Sequence, residues 1–443
     1  MDRDRAEPQV EDFPGERARA AVEATREHAA LTTRAYDFVW DRTAPADGPF
    51  CTDPDGNVLM DWTGHVGAMP LGYDNSKITE PMAELDLPDP AKIAGQDFYV
   101  ASEDGVPGPA ELMERIVEIS PDGMDTVMLT NSGAEAVENA VKICYDHTGG
   151  TRAVSFQGAF HGRTLGALSL NRSKAVYRRA FPEVAGVEDV PFCADRTCTR
   201  ETCACGFFPD AEASALERLL DPDRGMIDPG EVAYVILEPI QGEGGYNFPS
   251  DAFAAEVARI GERLDAPLVV DEVQTGVGRS GEWWASNHYP FEPDVIASAK
   301  ALRVGATVAS ESVFPDQRAR LSSTWGGGDI VAAAQGALTI DAIREYDLMD
   351  NAVERGRQFR ETFGDAAARL DPVTDVRGTG LLLAVEFDSE ERRDAVKQAA
   401  FERGFLTMGC GYRTLRLLPP LDSTSREVEL GADLLTAAVE AVA

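Results

Sequence analysis

Short apolar runs that alternate with helical segments, from about residue 110 to residue 300, constrain the fold of this chain more than any other feature. The runs are TVMLT (126–130), AVSF (153–156), VAYVILEP (232–239), PLVVDE (267–272) and DVIASAK (294–300). Strands that are apolar throughout are buried on both faces, and intervening helices are typical of parallel pairing. The pattern therefore predicts an α/β protein with a doubly wound, mostly parallel sheet.

The regions on either side predict a second, smaller domain. Before residue 62, the turn sequences DGPF and DPDGN separate short apolar pieces, as in hairpins. After residue 330, a long helical pattern precedes the strand-like GTGLLLAVEF and a closing helix, which together are typical of an α+β domain. We expect residues 1–62 to join the small domain, residues 63–329 to form the large domain and residues 330–443 to complete the small one.

The net charge of the chain argues against several classes of ligand. A formal net charge of −35 opposes binding to DNA, RNA or anionic membranes, because these ligands require clustered Lys and Arg. Only six basic residues are lysines, and such an acidic, lysine-poor surface resembles that of proteins from salt-loving organisms. An ordinary acidic cytosolic protein is the alternative. The N-terminus lacks a signal peptide's apolar core and no run has membrane-spanning length, so we expect a cytoplasmic protein.

The stretch LTNSGAEAVENAVKICYDH (129–147) predicts an anion site at the start of a helix. Ser132 is an N-cap residue, and Glu135 three positions later completes a capping-box pattern. Gly133 allows close backbone approach, and the first N–H groups and the dipole of the helix favour a negative charge. A well-capped helix without a ligand is the alternative.

The loop QGAFHGRTLGAL (157–168) combines an aromatic ring, an imidazole and a guanidinium after a strand. Ligands bind at such positions in open α/β sheets. Phe160 is suited to stack on a flat ring, and Arg163 is suited to hold a carboxylate through two hydrogen bonds. An arginine in a surface ion pair is the alternative.

Two further strand ends carry ionisable groups. PLVVDE ends in Asp271 and Glu272, which strand alternation directs to opposite faces. DVIASAK ends in Lys300, and apolar surroundings lower the pKa of a lysine and favour imine chemistry. A solvent-facing lysine is the alternative. An anion site, a stacking aromatic, a strand-end acid and a strand-end lysine together match the requirements of pyridoxal phosphate.

With these motifs the sequence resembles the class III, or omega-amino-acid, aminotransferases of the fold-type I pyridoxal phosphate enzymes. The resemblance runs from about Pro14 to the C-terminus, through DGNVLMDW, TNSGAEAVENAVK, FHGRTLGALSL, EPIQGEGG, DEVQTGVGRSG, SAK and STWGG. It implies the fold-type I architecture, a large domain with a mostly parallel sheet plus a smaller α+β domain. It also implies pyridoxal 5'-phosphate as the cofactor.

The resemblance assigns roles around the cofactor. Lys300 matches the lysine that forms the imine and later moves a proton, and Asp271 matches the acid that pairs with the pyridinium nitrogen. Gln274 matches the residue near the ring hydroxyl, and Phe160 the aromatic over the ring. The residues that match the phosphate cradle are Ser132, Gly133 and Ala134.

The resemblance also implies a partner subunit and a substrate class. Thr324 in STWGG matches a threonine that reaches the phosphate of the neighbouring subunit's cofactor, which implies a homodimer with shared sites. Arg163 resembles the arginine for a distal carboxylate, and Arg416 the arginine for the α-carboxylate of 2-oxoglutarate or glutamate. Glu243 resembles the acid that pairs with Arg416 when an omega-amine is bound.

The reaction so implied moves the terminal amino group of 4-aminobutyrate, ornithine or lysine to 2-oxoglutarate. Two alternatives on the same scaffold stay open. One is an amino-acid racemase, which needs no oxo acid, and the other is an acetylornithine-type aminotransferase.

One segment stands outside these motifs. FCADRTCTRETCACGFF contains four of the seven cysteines, Cys193, Cys198, Cys203 and Cys205. Thiolates suit zinc, but no spacing among the four is the usual C-x2-C pair. A loop of reduced thiols is therefore the favoured interpretation, and we assign no metal site.

Overall fold

The computed structural model describes residues 1–30, 32, 38–85, 107–323, 327 and 329–442. The helices are α1 (Glu16–His28), α2 (Gly64–Gly67), α3 (Ser76–Glu84), α4 (Pro109–Glu118), α5 (Gly133–Thr148), α6 (Leu165–Leu170), α7 (Ala175–Arg178), α8 (Ala215–Leu219), α9 (Asp251–Gly261), α10 (Ile330–Glu345), α11 (Leu348–Ala367), α12 (Glu390–Phe401) and α13 (Ser425–Glu440). The strands are β1 (Phe50–Thr52), β2 (Val58–Asp61), β3 (Thr126–Thr130), β4 (Arg152–Phe156), β5 (Val187–Val190), β6 (Val232–Leu237), β7 (Leu268–Asp271), β8 (Val295–Ser298), β9 (Gly305–Ala309), β10 (Val373–Thr379), β11 (Leu382–Phe387), β12 (Phe405–Leu406), β13 (Met408–Cys410) and β14 (Thr414–Leu417).

The chain divides into two compact units, of which one comprises residues 80–346 and the other residues 1–79 with 347–443. In the first of these, seven of the described strands form a sheet in the order β3-β9-β8-β7-β6-β4-β5. Strands β8, β7, β6, β4 and β5 pair in parallel, whereas β9 is antiparallel to both of its neighbours. The predicted α/β fold with a mostly parallel sheet is confirmed.

The continuous apolar character of β6 follows from the two cores that it separates. All six residues of β6 are buried. Tyr234 and Ile236 pack in the core that contains α5, whereas Val235 and Leu237 pack in the core that contains α9. Because successive side chains of a strand point to opposite faces, a strand covered on both sides must be apolar at every position.

The other unit combines helices with two small sheets, in the orders β1-β2-β12 and β10-β11-β14-β13. The N-terminal chain belongs to it in part through Arg3. The Arg3 guanidinium donates to Glu427 at 2.7 Å and to Asp422 at 3.0 Å. This unit contains both helices and small sheets, and in this respect it corresponds to the predicted small α+β domain.

The predicted boundaries, after residues 62 and 329, lie earlier than the limits of the compact units, after residues 79 and 346. The second difference concerns α10, which the predicted boundary places in the small domain. A Cβ on Gly336 of α10 would lie only 2.4 Å from the carbonyl oxygen of Leu302, so α10 packs closely on the 3-10 turn Lys300–Leu302 of the sheet unit. None of the helices in the described residues has the length and apolar character required to cross a membrane.

Candidate active site

Three predicted features meet where α5 begins. A Cβ on Gly133 would lie 2.7 Å from Val273 Cγ1 and 3.4 Å from Ala299 Cβ. Val273 follows the end of β7 by two residues, and Ala299 directly precedes Lys300. The structure therefore brings the helix N-terminus, the Asp271 turn and the Lys300 turn together at the carboxyl edge of the parallel strands.

The start of α5 has the properties of an anion site. Ser132 is the N-cap, and its hydroxyl accepts a hydrogen bond from Glu135 N at 3.3 Å, as predicted. The reciprocal half of the capping box is absent, because the Glu135 carboxylate accepts instead from Asn131 N, at 2.7 Å. Gly133 and Ala134 occupy the first helical positions, whose N–H groups have no intrahelical acceptor.

Asp271, at the end of β7, is buried and held by two donors. Its Oδ2 lies 2.8 Å from Nδ1 of His161, and its Oδ1 accepts from Val273 N at 3.0 Å. The backbone of His161 is itself fixed by a 2.6 Å hydrogen bond from its N–H to Asn171 Oδ1. His161 was part of the quoted glycine-rich loop, yet our sequence reasoning gave it no role.

Glu272 has partners of its own, on the other side of the strand. Its carboxylate accepts hydrogen bonds from the Thr275 hydroxyl and, at 2.8 Å, from Ser286 N. Burial raises the pKa of Glu272, and these donors oppose the shift. Glu272 therefore acts as a structural link between the β7 turn and the segment around Ser286, distinct from Asp271.

Lys300 lies just beyond its strand. β8 ends at Ser298, and Lys300 begins the following 3-10 turn. The Lys300 N–H donates to Val273 O at 3.3 Å, which ties the lysine turn to the turn after Asp271. Asp271 pairs with Ala297 across the two parallel strands, so both site residues are at the same edge of the sheet.

Glu238, at the end of β6, connects the Phe160 loop with the loop of Glu243. Its carboxylate accepts from Phe160 N at 2.9 Å and from Gly242 N at 2.8 Å. Burial raises the pKa of Glu238 to about 7; the nearby Asp271 carboxylate adds to the shift and His161 opposes it. A Cβ on Gly242 would lie 2.6 Å from Gln274 Oε1, so Gln274 belongs to the same group.

Two predicted substrate residues, Arg163 and Glu243, both contact Tyr177. Arg163 is exposed, and its guanidinium carbon lies 5.1 Å from the ring centre of Tyr177 and 5.9 Å from that of Phe160. Glu243 accepts hydrogen bonds from the Tyr177 hydroxyl at 2.8 Å and from Lys174 Nζ at 3.0 Å. No spacing pattern in the sequence indicates the pairing of Lys174 with Glu243.

Two predicted site residues are not part of the described portion of the sheet unit. Arg416 is buried on β14 in the other unit, where its guanidinium lies 3.0 Å from Met408 Sδ. Thr324 lies outside the described residues.

Comparison with known proteins identifies the family. The model of the aminotransferase class-III family matches residues 35–439. The acetylornithine aminotransferase of Archaeoglobus fulgidus is 31% identical over 421 residues, which cover 94% of this chain and 99% of that protein. The alanine/serine racemase of Pyrococcus horikoshii is 29% identical over 450 residues, covering 96% and 91%. A lysine aminotransferase structure from M. tuberculosis has a TM-score of 0.83 at 26% identity, covering 95% of this chain and 98% of that one.

The chain therefore belongs to the class III aminotransferases, which are enzymes that depend on pyridoxal phosphate. Its residues fit that cofactor. The close packing of Gly133 leaves the start of α5 without a side chain beside Val273 and Ala299, and the buried Asp271 carboxylate accepts from His161 and from Val273 N. An anionic phosphate matches the start of α5 in charge, and a positively charged ring nitrogen matches the Asp271 carboxylate.

Proposed function

We propose that this enzyme moves the terminal amino group of an omega-amino acid to 2-oxoglutarate, giving glutamate and an aldehyde or oxo acid. The observation that supports the proposal most directly is the meeting of the α5 N-terminus, the Asp271 turn and the Lys300 turn around Gly133. Relatives named acetylornithine aminotransferase and lysine aminotransferase support a donor of the ornithine or lysine type. 4-Aminobutyrate is the third candidate donor.

Pyridoxal phosphate, when bound, supplies an electron sink for negative charge at the substrate carbon. In our proposal the N–H groups of Gly133 and Ala134, with Ser132, bind its phosphate. Asp271 would pair with the ring nitrogen, and His161 holds that carboxylate in place. Phe160 would cover the ring, and Gln274 would contact its hydroxyl group.

Lys300 is the proposed base. Its amine would hold the cofactor covalently and would take the proton from the carbon that carries the donor amine. The turn of Lys300 is tied to the turn of Asp271 by the bond from Lys300 N to Val273 O, so the proton acceptor and the charge partner of the ring are positioned together.

The proposed substrate contacts divide between two carboxylates. The roles are those that the family resemblance implies: Arg163 for the distal carboxylate of the acceptor, Arg416 for its α-carboxylate, and Glu243 as the counter-charge when a donor lacks a carboxylate at that position. Within the sheet unit, the ion pair with Lys174 at 3.0 Å gives Glu243 a cationic partner. A half-buried carboxylate that keeps a cationic partner avoids the cost of an unpaired charge.

A donor panel tests the proposal. Protein carrying its cofactor is incubated in high salt with 2-oxoglutarate and 4-aminobutyrate, ornithine, N-acetylornithine or lysine, and glutamate is measured. We expect glutamate with at least one of these donors, and none with Lys300→Ala. If wild-type protein forms no glutamate with any of them, or if borohydride fixes the cofactor to Lys300→Ala as it does to the wild type, the proposed function or the role of Lys300 is wrong.

The racemase is the second candidate, and the similarity to the alanine/serine racemase of Pyrococcus horikoshii favours it. A racemase uses the same cofactor but no oxo acid. Incubation of single enantiomers of alanine, serine and ornithine without 2-oxoglutarate, followed by chiral chromatography, distinguishes the two. Interconversion of enantiomers without glutamate formation would support the racemase and contradict the transaminase.

We further propose that the enzyme is a cytoplasmic homodimer adapted to high salt. The net charge of −35 and the six lysines among 443 residues support salt adaptation. The homodimer rests on the match of Thr324 to a threonine that reaches the cofactor of a neighbouring subunit.

A further inference from the structure

The four cysteines between β5 and α8 come together at one point. One ligand atom from each of Cys193, Cys198, Cys203 and Cys205 lies within 4.8 Å of all the others. All of residues 191–214 are described, and none of them belongs to a helix or strand. Loops of this length without secondary structure are uncommon in compact domains, so something other than hydrogen-bonded ladders must hold this one.

We propose that these four thiolates bind one zinc ion, which fixes the 191–214 loop to the sheet unit. Zinc bound by four cysteines is tetrahedral with Zn–S distances of about 2.3 Å, which places the sulfurs about 3.8 Å apart. Sulfurs that are all within 4.8 Å of one another, with Cys203 and Cys205 at 3.1 Å, need only small shifts to reach that geometry.

The backbone around the sulfurs supports thiolate ligands. The N–H of Phe208 donates to Cys203 Sγ at 3.3 Å, and hydrogen bonds to sulfur stabilise the negative charge of metal-bound thiolates. Gly206, directly after the Cys203–Cys205 pair, has a φ of +85°, a conformation that a residue with a side chain adopts only with strain. The glycine allows the chain to reverse so that Phe208 N reaches back to Cys203.

The cluster is also anchored to the core. Cys193 and Cys198 are buried in the core that contains α9, together with Phe207 and Phe208. The carbonyl of Cys193 accepts from Ser250 N, the N-cap residue of α9, at 3.0 Å. A metal at this position would therefore join a long loop to the first turn of a core helix.

Disulfides explain the arrangement less well. A disulfide holds two sulfurs at about 2.05 Å and leaves other pairs apart, whereas here four sulfurs share one small volume. Four thiolates and Zn²⁺ would leave a site of charge −2, in a loop that contains Arg196 and Arg200 as well as the acids Asp195, Glu201, Asp210 and Glu212. The Arg200 guanidinium lies 4.9 Å from the ring centre of Phe208, next to the site.

The test measures metal in the intact enzyme with its pyridoxal cofactor. Protein is purified with reductant and without chelator, and its zinc is measured by mass spectrometry and by release with a mercurial reagent. We expect one zinc per chain in the wild type and loss of that zinc in Cys203→Ser and Cys205→Ser, whose side chains are only half-buried. The matched control is Cys144→Ala, a buried cysteine outside the cluster, which retains the zinc.

Two further measurements do not depend on the folding of a variant. Metal-stripped wild type to which Co²⁺ is added should show the intense thiolate-to-cobalt absorption of a tetrahedral site. Trypsin should cut at the exposed Arg196 faster in the stripped protein than in the zinc-bound protein. The proposal does not rest on the aminotransferase reaction.

Several results would overturn the proposal. These are substoichiometric zinc in wild-type protein, iron in place of zinc, full zinc content in both serine variants, or a mass lower by two hydrogens that shows a disulfide within the cluster.

Discussion

Nδ1 of His161 lies 2.8 Å from Oδ2 of Asp271, and both side chains are almost completely excluded from solvent. The other oxygen of the carboxylate accepts from Val273 N. Two donors from different segments therefore fix the orientation of an acid that stands at the end of a buried strand. The imidazole comes from the loop after β4 and the acid from β7, so the pair also links that loop to the end of β7.

Replacement of His161 should impair catalysis more than folding. We expect His161→Phe to lower kcat/KM by about 10-fold to 100-fold, because a hydrogen bond to a charged group contributes about 1.5–3 kcal/mol. His161→Gln, which keeps an N–H donor, should recover part of the loss. The measurements are transamination kinetics across a pH series and the absorption spectrum of the bound cofactor. An exposed-site control is His147→Gln, and equal activity of His161→Phe and this control would contradict the prediction.

The alternation of apolar runs was sufficient to predict the central strands, because burial on both faces leaves few other sequences possible, as β6 shows. It was not sufficient for β5 and β9. β5 is an edge strand of sequence VEDV with mostly half-buried residues, and β9 consists of small residues, so neither has the apolar signal of a central strand. The antiparallel pairing of β9 also depends on distant partners that local patterns do not specify.

The candidate site, like the sheet, could be predicted from the sequence only in part. Asp271 and Lys300 stand at strand ends with a chemical signature of their own, so the sequence indicated them. The contacts of Glu243 with Lys174 and Tyr177 join residues that are 69 and 66 positions apart. Helical or strand periodicity reports only on near neighbours, and for that reason these contacts, like the assignment of α10 to the sheet unit, required the structure.

Arg163 should determine affinity for the acceptor. We expect Arg163→Gln to lower kcat/KM for 2-oxoglutarate by about 10-fold to 100-fold through loss of a charge-assisted hydrogen bond, and mainly through KM. The half-reaction with the amino donor alone, followed by the absorbance of the cofactor, should change much less. Arg178→Gln, in an ion pair with Glu183, is the matched control. Equal losses in both half-reactions would show that Arg163 does not discriminate between donor and acceptor.

Shared active sites can be detected by mixing two inactive variants. If Thr324 completes the site of the neighbouring subunit, dimers of Lys300→Ala with Thr324→Ala contain one site in which both residues are present. Random reassortment should then restore about a quarter of the wild-type activity, since half of the dimers are mixed and each has one intact site. Light scattering would confirm the dimer. If native mass spectrometry verifies the reassortment and no activity appears, the active sites are not shared.

Stability should increase with salt. The formal net charge of −35 implies repulsion across the surface, which salt screens as the Debye length falls from about 10 Å at 0.1 M to about 3 Å at 1 M. We expect the midpoint of thermal unfolding to rise over this range of KCl at neutral pH. The rise should become small near pH 4.4, the isoelectric point of the sequence, where partial protonation of the carboxylates brings the net charge close to zero. An unfolding midpoint that is the same in 0.1 M and 1 M KCl at neutral pH would rule out this explanation of the composition.

Glu238 should make the cofactor-free protein less stable as the pH rises. Burial raises the pKa of Glu238 from its ordinary value of 4.5 to about 7. Between these two values the folded state binds this proton and the unfolded state does not, so the free energy of unfolding falls with increasing pH. Below 4.5 both states are protonated, and above 7 neither is, so the contribution of Glu238 changes only within this window.

Glu238→Gln cannot titrate, and its free energy of unfolding should therefore decline less than that of the wild type between pH 4.5 and 7. Each unit of pKa difference corresponds to about 1.4 kcal/mol. Urea unfolding at constant salt across the window measures the two slopes, with Glu212→Gln, an exposed carboxylate, as the matched control. The protein must be free of cofactor, because a positive ring nitrogen beside Asp271 would lower the pKa of Glu238. Parallel slopes for wild type and Glu238→Gln would show that Glu238 is ionised throughout this range.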